Sequence, residues 1–244
     1  MNVFNIKGFE MLRAAAPTVS VGVVTANLLS LGAEIKLLEG TGAKLAHFDV
    51  MDGCFCPMMT VGPPFIKAVK TSLLKDVHLM IHEPLEKVAE YVAVGADIVT
   101  IHVEACSNAH RVLQTLRTFT NANDPERGVV RGIALNPGTP LEALEPLLDE
   151  IEMVSLLAVN PGWGGQKYVP STNGRIARVQ RMIAGSGKDI ILCVDGGITK
   201  ANIAEVAATG ADLIVAGSAI FDGKTPEANA RFMLDAATTV STKK

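Results

Sequence analysis

Residues 45–53, with the sequence LAHFDVMDG, decide the fold of this chain. They form an apolar run typical of a buried strand, and the run carries His47 and Asp49 near its end. Because successive strand residues point to opposite faces, side chains two apart leave on the same face. An apolar strand that ends in paired polar side chains favours a functional site. Taken alone, the stretch is equally compatible with a hydrogen-bonded core histidine followed by a surface turn.

Strand-like and helix-like segments alternate along the chain, in units of one strand and one helix. Asn27 predicts an N-cap for the first helix, and the prolines after Gly62 mark the first turn of the second. There are eight units, so we expect an α/β protein with the (β/α)8 TIM-barrel fold. An open, doubly wound sheet is the alternative, and only the number of units favours closure. The predicted strands cover residues 19–24, 45–50, 76–80, 98–103, 129–135, 154–159, 189–194 and 213–216, and the helices 28–39, 62–71, 84–94, 107–120, 140–148, 171–184, 200–209 and 226–237.

Three similar tetrapeptides join helical segments to the strands that follow them. They are TGAK at 41–44, VGAD at 94–97 and TGAD at 209–212. Each places glycine where a residue in the left-handed conformation would end a helix. This weak internal repeat supports a parallel α/β architecture.

Length and composition favour one domain with a large core. Apolar residues make up 48% of the chain and charged residues 19%, and the mean hydropathy is +0.30. α/β barrels commonly reach this length as a single unit. We therefore expect residues 1–244 to form one barrel domain, with residues 1–17 as an N-terminal extension. The apolar excess also indicates a buried subunit contact, and hence a homo-oligomer.

The balance of charges indicates which kinds of partner the protein binds, and the lack of long apolar segments indicates its cellular compartment. With 22 Lys and Arg against 25 Asp and Glu and no basic cluster, we expect a small-molecule substrate and neither a nucleic-acid nor a membrane partner. The chain has no apolar stretch long enough to span a bilayer, and residues 1–17 lack the apolar segment of a signal peptide, so we expect a cytoplasmic protein.

The spacing of the four cysteines matches neither a zinc ribbon nor a redox pair. We expect Cys54, Cys56, Cys106 and Cys193 to be reduced and buried.

Polar side chains recur at the carboxyl ends of the predicted strands. In a barrel these ends meet at the face that carries chemistry, so residues far apart in sequence would converge there. We assign no role to His82 and His110, which we expect to face solvent. The residues at strand ends are His47, Asp49, His78, His102, Glu104, Asn160 and Asp195.

Four of these residues form a set of two imidazoles and two carboxylates: His47, Asp49, His78 and Asp195. Such a set suits one divalent metal ion of intermediate softness, namely zinc, iron(II), manganese or cobalt. Calcium would require more oxygen ligands. The alternative is four unrelated polar residues at strand ends.

Glycine-rich turns follow the last three strands, at residues 160–166, 195–197 and 217–218. Glycine lets backbone N–H groups approach an anion closely, and the helix that follows adds the positive end of its dipole. Barrels that bind phosphate commonly do so with these final loops. The candidate phosphate-binding residues are Gly162, Gly164, Gly165, Gly196, Gly197, Gly217 and Ser218.

Six motifs together resemble those of the ribulose-phosphate 3-epimerase family. They occur in the family's order and span the chain from about residue 19 to residue 221. Together they are far more specific than any one alone. The motifs are HFDVMDG at 47–53, DVHLM at 76–80, TIHVEA at 100–105, VNPGWGGQ at 159–166, VDGGI at 194–198 and GSAIF at 217–221.

The resemblance implies a TIM barrel of the ribulose-phosphate-binding type that interconverts D-ribulose 5-phosphate and D-xylulose 5-phosphate. It implies that His47, Asp49, His78 and Asp195 bind the metal, with Asp49 and Asp195 as the acid–base pair. Inverting a carbon beside a ketone passes through an enediolate, whose negative charge a metal can stabilise while two carboxylates move the proton. Further residues near the substrate would be Thr25, Met51, His78, Met80 and Trp163.

Five positions depart from the family pattern. Thr25 and Asn27 stand where the family has serine and an acidic residue, Cys54 and Met58 replace histidine and asparagine, and Trp163 replaces phenylalanine. None is a proposed metal ligand. They affect which sugar the protein would bind rather than which reaction it would catalyse. The alternative substrate is therefore a six-carbon ketose phosphate such as D-allulose 6-phosphate.

Two other functions are compatible with the fold, because a barrel does not determine its chemistry. A phosphosugar decarboxylase or aldolase would need a lysine at a strand end, and neither Lys44 nor Lys67 lies at one. A non-catalytic phosphosugar-binding barrel would not need all four metal-ligand candidates.

Overall fold

Eight parallel strands close into a barrel, as the number of strand–helix units predicted. The computed structural model describes residues 7–239. Each strand pairs with the next, and β8 pairs with β1 to complete the ring. The strands are β1 Thr18–Gly22, β2 Leu45–Met51, β3 Leu74–Met80, β4 Ile98–His102, β5 Val130–Leu135, β6 Met153–Leu157, β7 Ile191–Asp195 and β8 Leu213–Ala216.

The helices surround this barrel, and their buried faces pack on the outside of the strands. Within residues 7–239, no helix is both long and apolar enough to cross a bilayer. The α-helices are α1 Lys7–Ala15, α2 Leu31–Glu39, α3 Pro63–Ala68, α4 Val88–Ala93, α5 Ala109–Leu116, α6 Thr172–Ser186, α7 Ile203–Ala208 and α8 Pro226–Thr238.

Several predicted elements differ from those observed; the helix predicted at 84–94, for example, is a 3₁₀ turn, Pro84–Glu86, followed by α4. The helix expected at 140–148 is a 3₁₀ helix, Leu141–Leu147, with Pro146 inside it. Proline lacks the N–H that an α-helical hydrogen bond would need at that position. The chain after β1 turns at once into a 3₁₀ helix, Val23–Thr25, rather than continuing the strand to residue 24. Asn27 caps a further 3₁₀ turn by accepting a hydrogen bond from the backbone N–H of Leu29, so α2 begins later than predicted.

The repeated glycine joints are confirmed. Gly42, Gly95 and Gly210 have φ angles of 93°, 92° and 86°. A side chain is rarely tolerated in that conformation, which is why glycine stands at each joint. The three joints return the chain to the amino-terminal end of the barrel.

Helix α1 closes that amino-terminal end. Its Leu12 is fully buried and packs against the lowest layer of inward-facing side chains. Arg13 binds Asp212 at 2.9 Å and also pairs with Asp189. The inward-facing apolar residues of the cluster around Leu12 are Leu45, Leu74, Ile98, Val130, Met153, Ile191, Cys193, Leu213 and Val215. Helix α1, which lies within the predicted extension, thus completes the core, and residues 1–6 of that extension lie outside the described residues.

We expect Leu12→Ala to lower the free energy of unfolding by about 2–5 kcal/mol, because it leaves a cavity in a packed layer. Denaturant unfolding followed by circular dichroism measures this change. Met11→Ala is the matched control, since Met11 is 38% exposed and its truncation should cost less than about 0.5 kcal/mol. Equal effects of the two substitutions would mean that α1 does not support the core.

Candidate active site

A cavity of about 700 Å³ opens at the carboxyl end of the barrel. Asp49 and Asp195 both border it, so the two carboxylates face one space. His47 and His78 are buried and lie behind them. The other residues predicted near the substrate all border the same cavity: Thr25, Met51, Met80, Gly162, Trp163, Gly164, Gly165, Gly196, Gly197, Gly217 and Ser218.

The register of neighbouring strands brings the four candidate metal ligands together. Asp49 on β2 lies opposite His78 on β3, and Asp195 ends β7 across the barrel. Nδ1 of His78 is 3.3 Å from an oxygen of Asp49 and 3.3 Å from an oxygen of Asp195. Nε2 of His47 is 3.2 Å from Asp49 and 3.9 Å from Asp195. One donor atom from each residue lies within 4.8 Å of all the others.

A buried carboxylate holds the ring of His47. Nδ1 of His47 lies 2.7 Å from Oδ2 of Asp76, which also accepts a hydrogen bond of 2.7 Å from the hydroxyl of Ser20. A carboxylate can only accept, so the Nδ1 atom of His47 carries the proton. Its Nε2 atom is left facing Asp49 and Asp195.

The carboxylates and histidines of the cluster stabilise each other's charged forms. Burial alone would lower the pKa of each histidine and raise that of each carboxyl group. Asp76 and Asp49 nevertheless hold the pKa of His47 well above its usual range. Asp195 and Asp49 raise the pKa of His78 to about 9, and the two histidines keep the pKa of Asp49 well below its usual range. The cluster therefore binds protons that a divalent cation would displace.

The donor set fits a divalent metal ion. Nδ1 of His78 is buried and finds no hydrogen-bond partner among the described residues, although two carboxylate oxygens are close. A buried polar atom without a partner is costly, and a cation between the four residues would satisfy it. Two nitrogens and two carboxylate oxygens match the ligands of zinc and of similar first-row ions.

The loop after β7 brings backbone close to the cavity. Gly197 has a φ angle of 69°, and a Cβ atom there would lie 2.5 Å from the backbone nitrogen of Tyr168. Only glycine fits such a close approach. In the loop after β6, the side chain of Gln166 donates hydrogen bonds to the carbonyls of Asn160 and Trp163, which fixes that loop. Both loops border the cavity.

Several residues of the site carried too little sequence signal to be assigned. Thr60 lies outside every motif, yet its hydroxyl donates to the carbonyl of Asp49 and accepts from the backbone N–H of Met51. Asp76 was within a motif but had no assigned role. His102 stood at a strand end without a role, and it lies against His78. Burial lowers the pKa of His102 to about 4, so its ring is neutral at neutral pH.

The cysteine prediction is wrong in part. Cys56 and Cys193 are buried, whereas Cys106 is half-buried and Cys54 is exposed. Cys54 lies in the turn after β2, where its backbone N–H binds the carboxylate of Asp52. It does not border the cavity, unlike Met58. His82 and His110 are exposed, as predicted.

Comparison with known sequences identifies one family. The sequence model of the ribulose-phosphate 3 epimerase family matches residues 18–221. Ribulose-phosphate 3-epimerase of Bacillus subtilis is 42% identical over 206 residues, which are 83% of this chain and 91% of that protein. The Escherichia coli K12 protein of the same name is 39% identical and covers 84% and 88%. The chloroplastic ribulose-5-phosphate-3-epimerase of Arabidopsis thaliana is 40% identical and covers 84% and 72%.

Comparison with solved structures supports the fold alone. KGPDC from Streptococcus mutans matches with a TM-score of 0.65 at 16% identity, covering 92% of this chain and 99% of that one. 3-Hexulose-6-phosphate synthase from Salmonella typhimurium matches with a TM-score of 0.61 at 18% identity, covering 91% and 99%. Both similarities agree with the observed TIM barrel.

Proposed function

The chain belongs to the ribulose-phosphate 3-epimerase family, and on this premise we propose that it interconverts D-ribulose 5-phosphate and D-xylulose 5-phosphate with Asp49 and Asp195 as its acid–base pair. The observation that carries the proposal is the convergence of these two carboxylates on one cavity, beside two buried histidines. A phosphosugar-binding barrel without catalytic activity would have no need of this arrangement.

The four clustered residues would hold the metal: His47, Asp49, His78 and Asp195. A divalent ion there, one of zinc, iron(II), manganese or cobalt, would supply Lewis-acid stabilisation of the negative charge that develops on the sugar. The rigid barrel fixes the four side chains relative to one another before substrate enters.

The two carboxylates account for the inversion. One removes the proton from C3 on one face of the sugar, giving an enediolate, and the other delivers a proton to the opposite face. Before each turnover one carboxyl must be ionised and the other protonated. Both carboxylates lie 3.3 Å from the same atom, Nδ1 of His78.

The remaining predicted residues would bind and enclose the sugar phosphate. We propose that the backbone of the glycine-rich loops, which border the cavity, binds the phosphate group. Met51 and Met80 would form apolar walls near the enediolate, and Thr25, Trp163 and His78 would complete the surroundings of the substrate. An apolar wall limits the access of water to the reacting carbon.

Gly197→Ala should lower kcat/KM by about 10- to 100-fold, because it displaces the loop that approaches the phosphate. Steady-state kinetics on the sugar phosphate measure this loss. Gly138→Ala is the matched control, since a Cβ atom there meets nothing within 4 Å and the position lies outside the cavity. An unchanged kcat/KM for Gly197→Ala would argue against this loop as the phosphate site.

Purified protein assayed against a panel of pentulose and hexulose phosphates tests the proposed substrate. We expect the highest kcat/KM with D-ribulose 5-phosphate. A higher value with D-allulose 6-phosphate would replace the proposed sugar but keep the reaction. No epimerisation of any ketose phosphate would contradict the proposed function.

We further propose that one barrel domain accounts for residues 1–244, with residues 1–17 as its N-terminal extension, and that the protein works as a cytoplasmic homo-oligomer. Leu29 and Met59 support self-association, because they are 100% and 78% exposed. The four free thiols are consistent with a reducing compartment. Light scattering of the purified protein measures the oligomeric state.

A further inference from the structure

His102, at the end of β4, lies directly behind the proposed metal site. Its Nε2 atom is 2.8 Å from Nε2 of His78, and the two rings stack with centroids 4.9 Å apart. His102 is fully buried, and Phe55 packs against its ring with centroids 4.8 Å apart. The ring is therefore held by packing as well as by hydrogen bonding.

Glu104 sets the direction of the hydrogen bonds through His102. One oxygen of Glu104 lies 3.1 Å from Nδ1 of His102. The other accepts a 2.7 Å hydrogen bond from the backbone N–H of Asn136, and also accepts from the hydroxyl of Thr139. An ionised carboxylate can only accept, so Nδ1 of His102 carries a proton that it donates to Glu104.

The proton on Nδ1 of His102 also determines which nitrogen of His78 donates in the hydrogen bond between the two rings. Since Nδ1 of His102 donates to Glu104, Nε2 of His102 is the nitrogen left to accept from His78. Nε2 of His78 must donate to it, which leaves Nδ1 of His78 as the nitrogen that faces Asp49 and Asp195. The other histidine has the reverse arrangement, since Asp76 occupies Nδ1 of His47 and leaves Nε2 toward the site.

We propose that His102 and Glu104 are positioning residues that hold His78 in the orientation and tautomer that present Nδ1 to the metal. This inference rests on the proposed function, because it assumes that a divalent ion occupies the cluster. Glu104 also connects the metal site to the loop after β5 through Asn136 and Thr139. Outer contacts of this kind raise the affinity of a histidine ligand and fix its geometry.

Metal affinity measures this role apart from catalysis. Zinc binding to the metal-stripped, full-length protein is measured by competition with a chromogenic chelator. His102→Phe keeps the ring packing and removes both nitrogens, so we expect zinc affinity to fall by about 10- to 100-fold. His102→Gln should recover part of that loss, because its side-chain carbonyl can accept from Nε2 of His78.

His110→Phe is the matched control. The side chain of His110 is 48% exposed and lies on α5, outside the site, so zinc affinity should be unchanged. Affinity within twofold of wild type for both His102 variants would overturn the proposal. A wild-type protein that binds no zinc would instead contradict the metal site itself, and thereby the proposed function.

The tautomer is measured directly in the wild-type protein, so a misfolded variant cannot obscure the answer. The chain has only five histidines, which makes the imidazole signals of ¹⁵N-histidine-labelled, zinc-loaded protein assignable by NMR. We expect His78 to carry its proton on Nε2 and to bind zinc through Nδ1, whereas His47 carries its proton on Nδ1. Zinc bound through Nε2 of His78 would overturn the proposal.

Discussion

Asp195→Asn should leave the barrel folded and lower kcat by about 10²–10⁴-fold, the usual contribution of one general acid or base. Asparagine has nearly the same shape as aspartate, so the packing at the end of β7 is preserved. It cannot exchange a proton with C3 of the sugar. Because Asp195 is also a proposed metal ligand, the assay is run with excess zinc, so that loss of kcat is separated from loss of metal.

Asp189→Asn is the matched control for this variant. It makes the same change of charge at the opposite end of the barrel, where Asp189 pairs with Arg13 and its side chain is 62% exposed. We expect its kcat to equal that of the wild type. Cys54→Ala, in the exposed turn after β2, should alter substrate affinity at most. Similar, mild effects of all three substitutions would mean that the catalytic site lies elsewhere.

Removal of the metal should have the second large effect. We expect a chelator to lower the epimerase rate by at least about 100-fold, since Lewis-acid stabilisation of the developing charge contributes several kcal/mol. Adding back zinc, manganese, iron(II) or cobalt should restore the rate. The measurement combines a kinetic assay with elemental analysis of the same sample.

The fold should survive metal removal, because the two apolar clusters of the core do not depend on the ligand residues. Circular dichroism of the stripped protein checks this point and separates loss of activity from unfolding. Full activity in a sample without bound metal would contradict the proposed role of the cluster.

The barrel could be predicted from the sequence because its signals are local and repeated. Apolar runs such as residues 45–50 mark the strands, and the glycine joints at Gly42, Gly95 and Gly210 end the preceding segments. The convergence of Asp49 and Asp195 followed from a property of the fold, since all parallel strands end at one face.

Other features depend on contacts that no local pattern encodes. The role of α1 follows from Leu12 reaching the lowest layer of the barrel, which requires the whole ring to be in place. Asp76 and His102 acquire their partners only through strand register and side-chain direction. Thr60 reaches β2 from a loop, and nothing in its sequence context indicates that contact. Pro146 is a local indication that residues 141–147 do not form a regular α-helix. The apolar spacing of the same residues is typical of an α-helix, and the prediction followed that spacing.

In the proposed reaction, two carboxylates act on opposite faces of one sugar carbon. Incubation of the metal-loaded protein with D-ribulose 5-phosphate in deuterated water, followed by proton NMR, tests it most directly. We expect deuterium to replace the hydrogen at C3 as D-xylulose 5-phosphate forms, and we expect Asp195→Asn with excess zinc to form almost no product. Product that retains its original C3 hydrogen, or wild-type turnover by Asp195→Asn, would mean that the two carboxylates do not carry out the proton transfer.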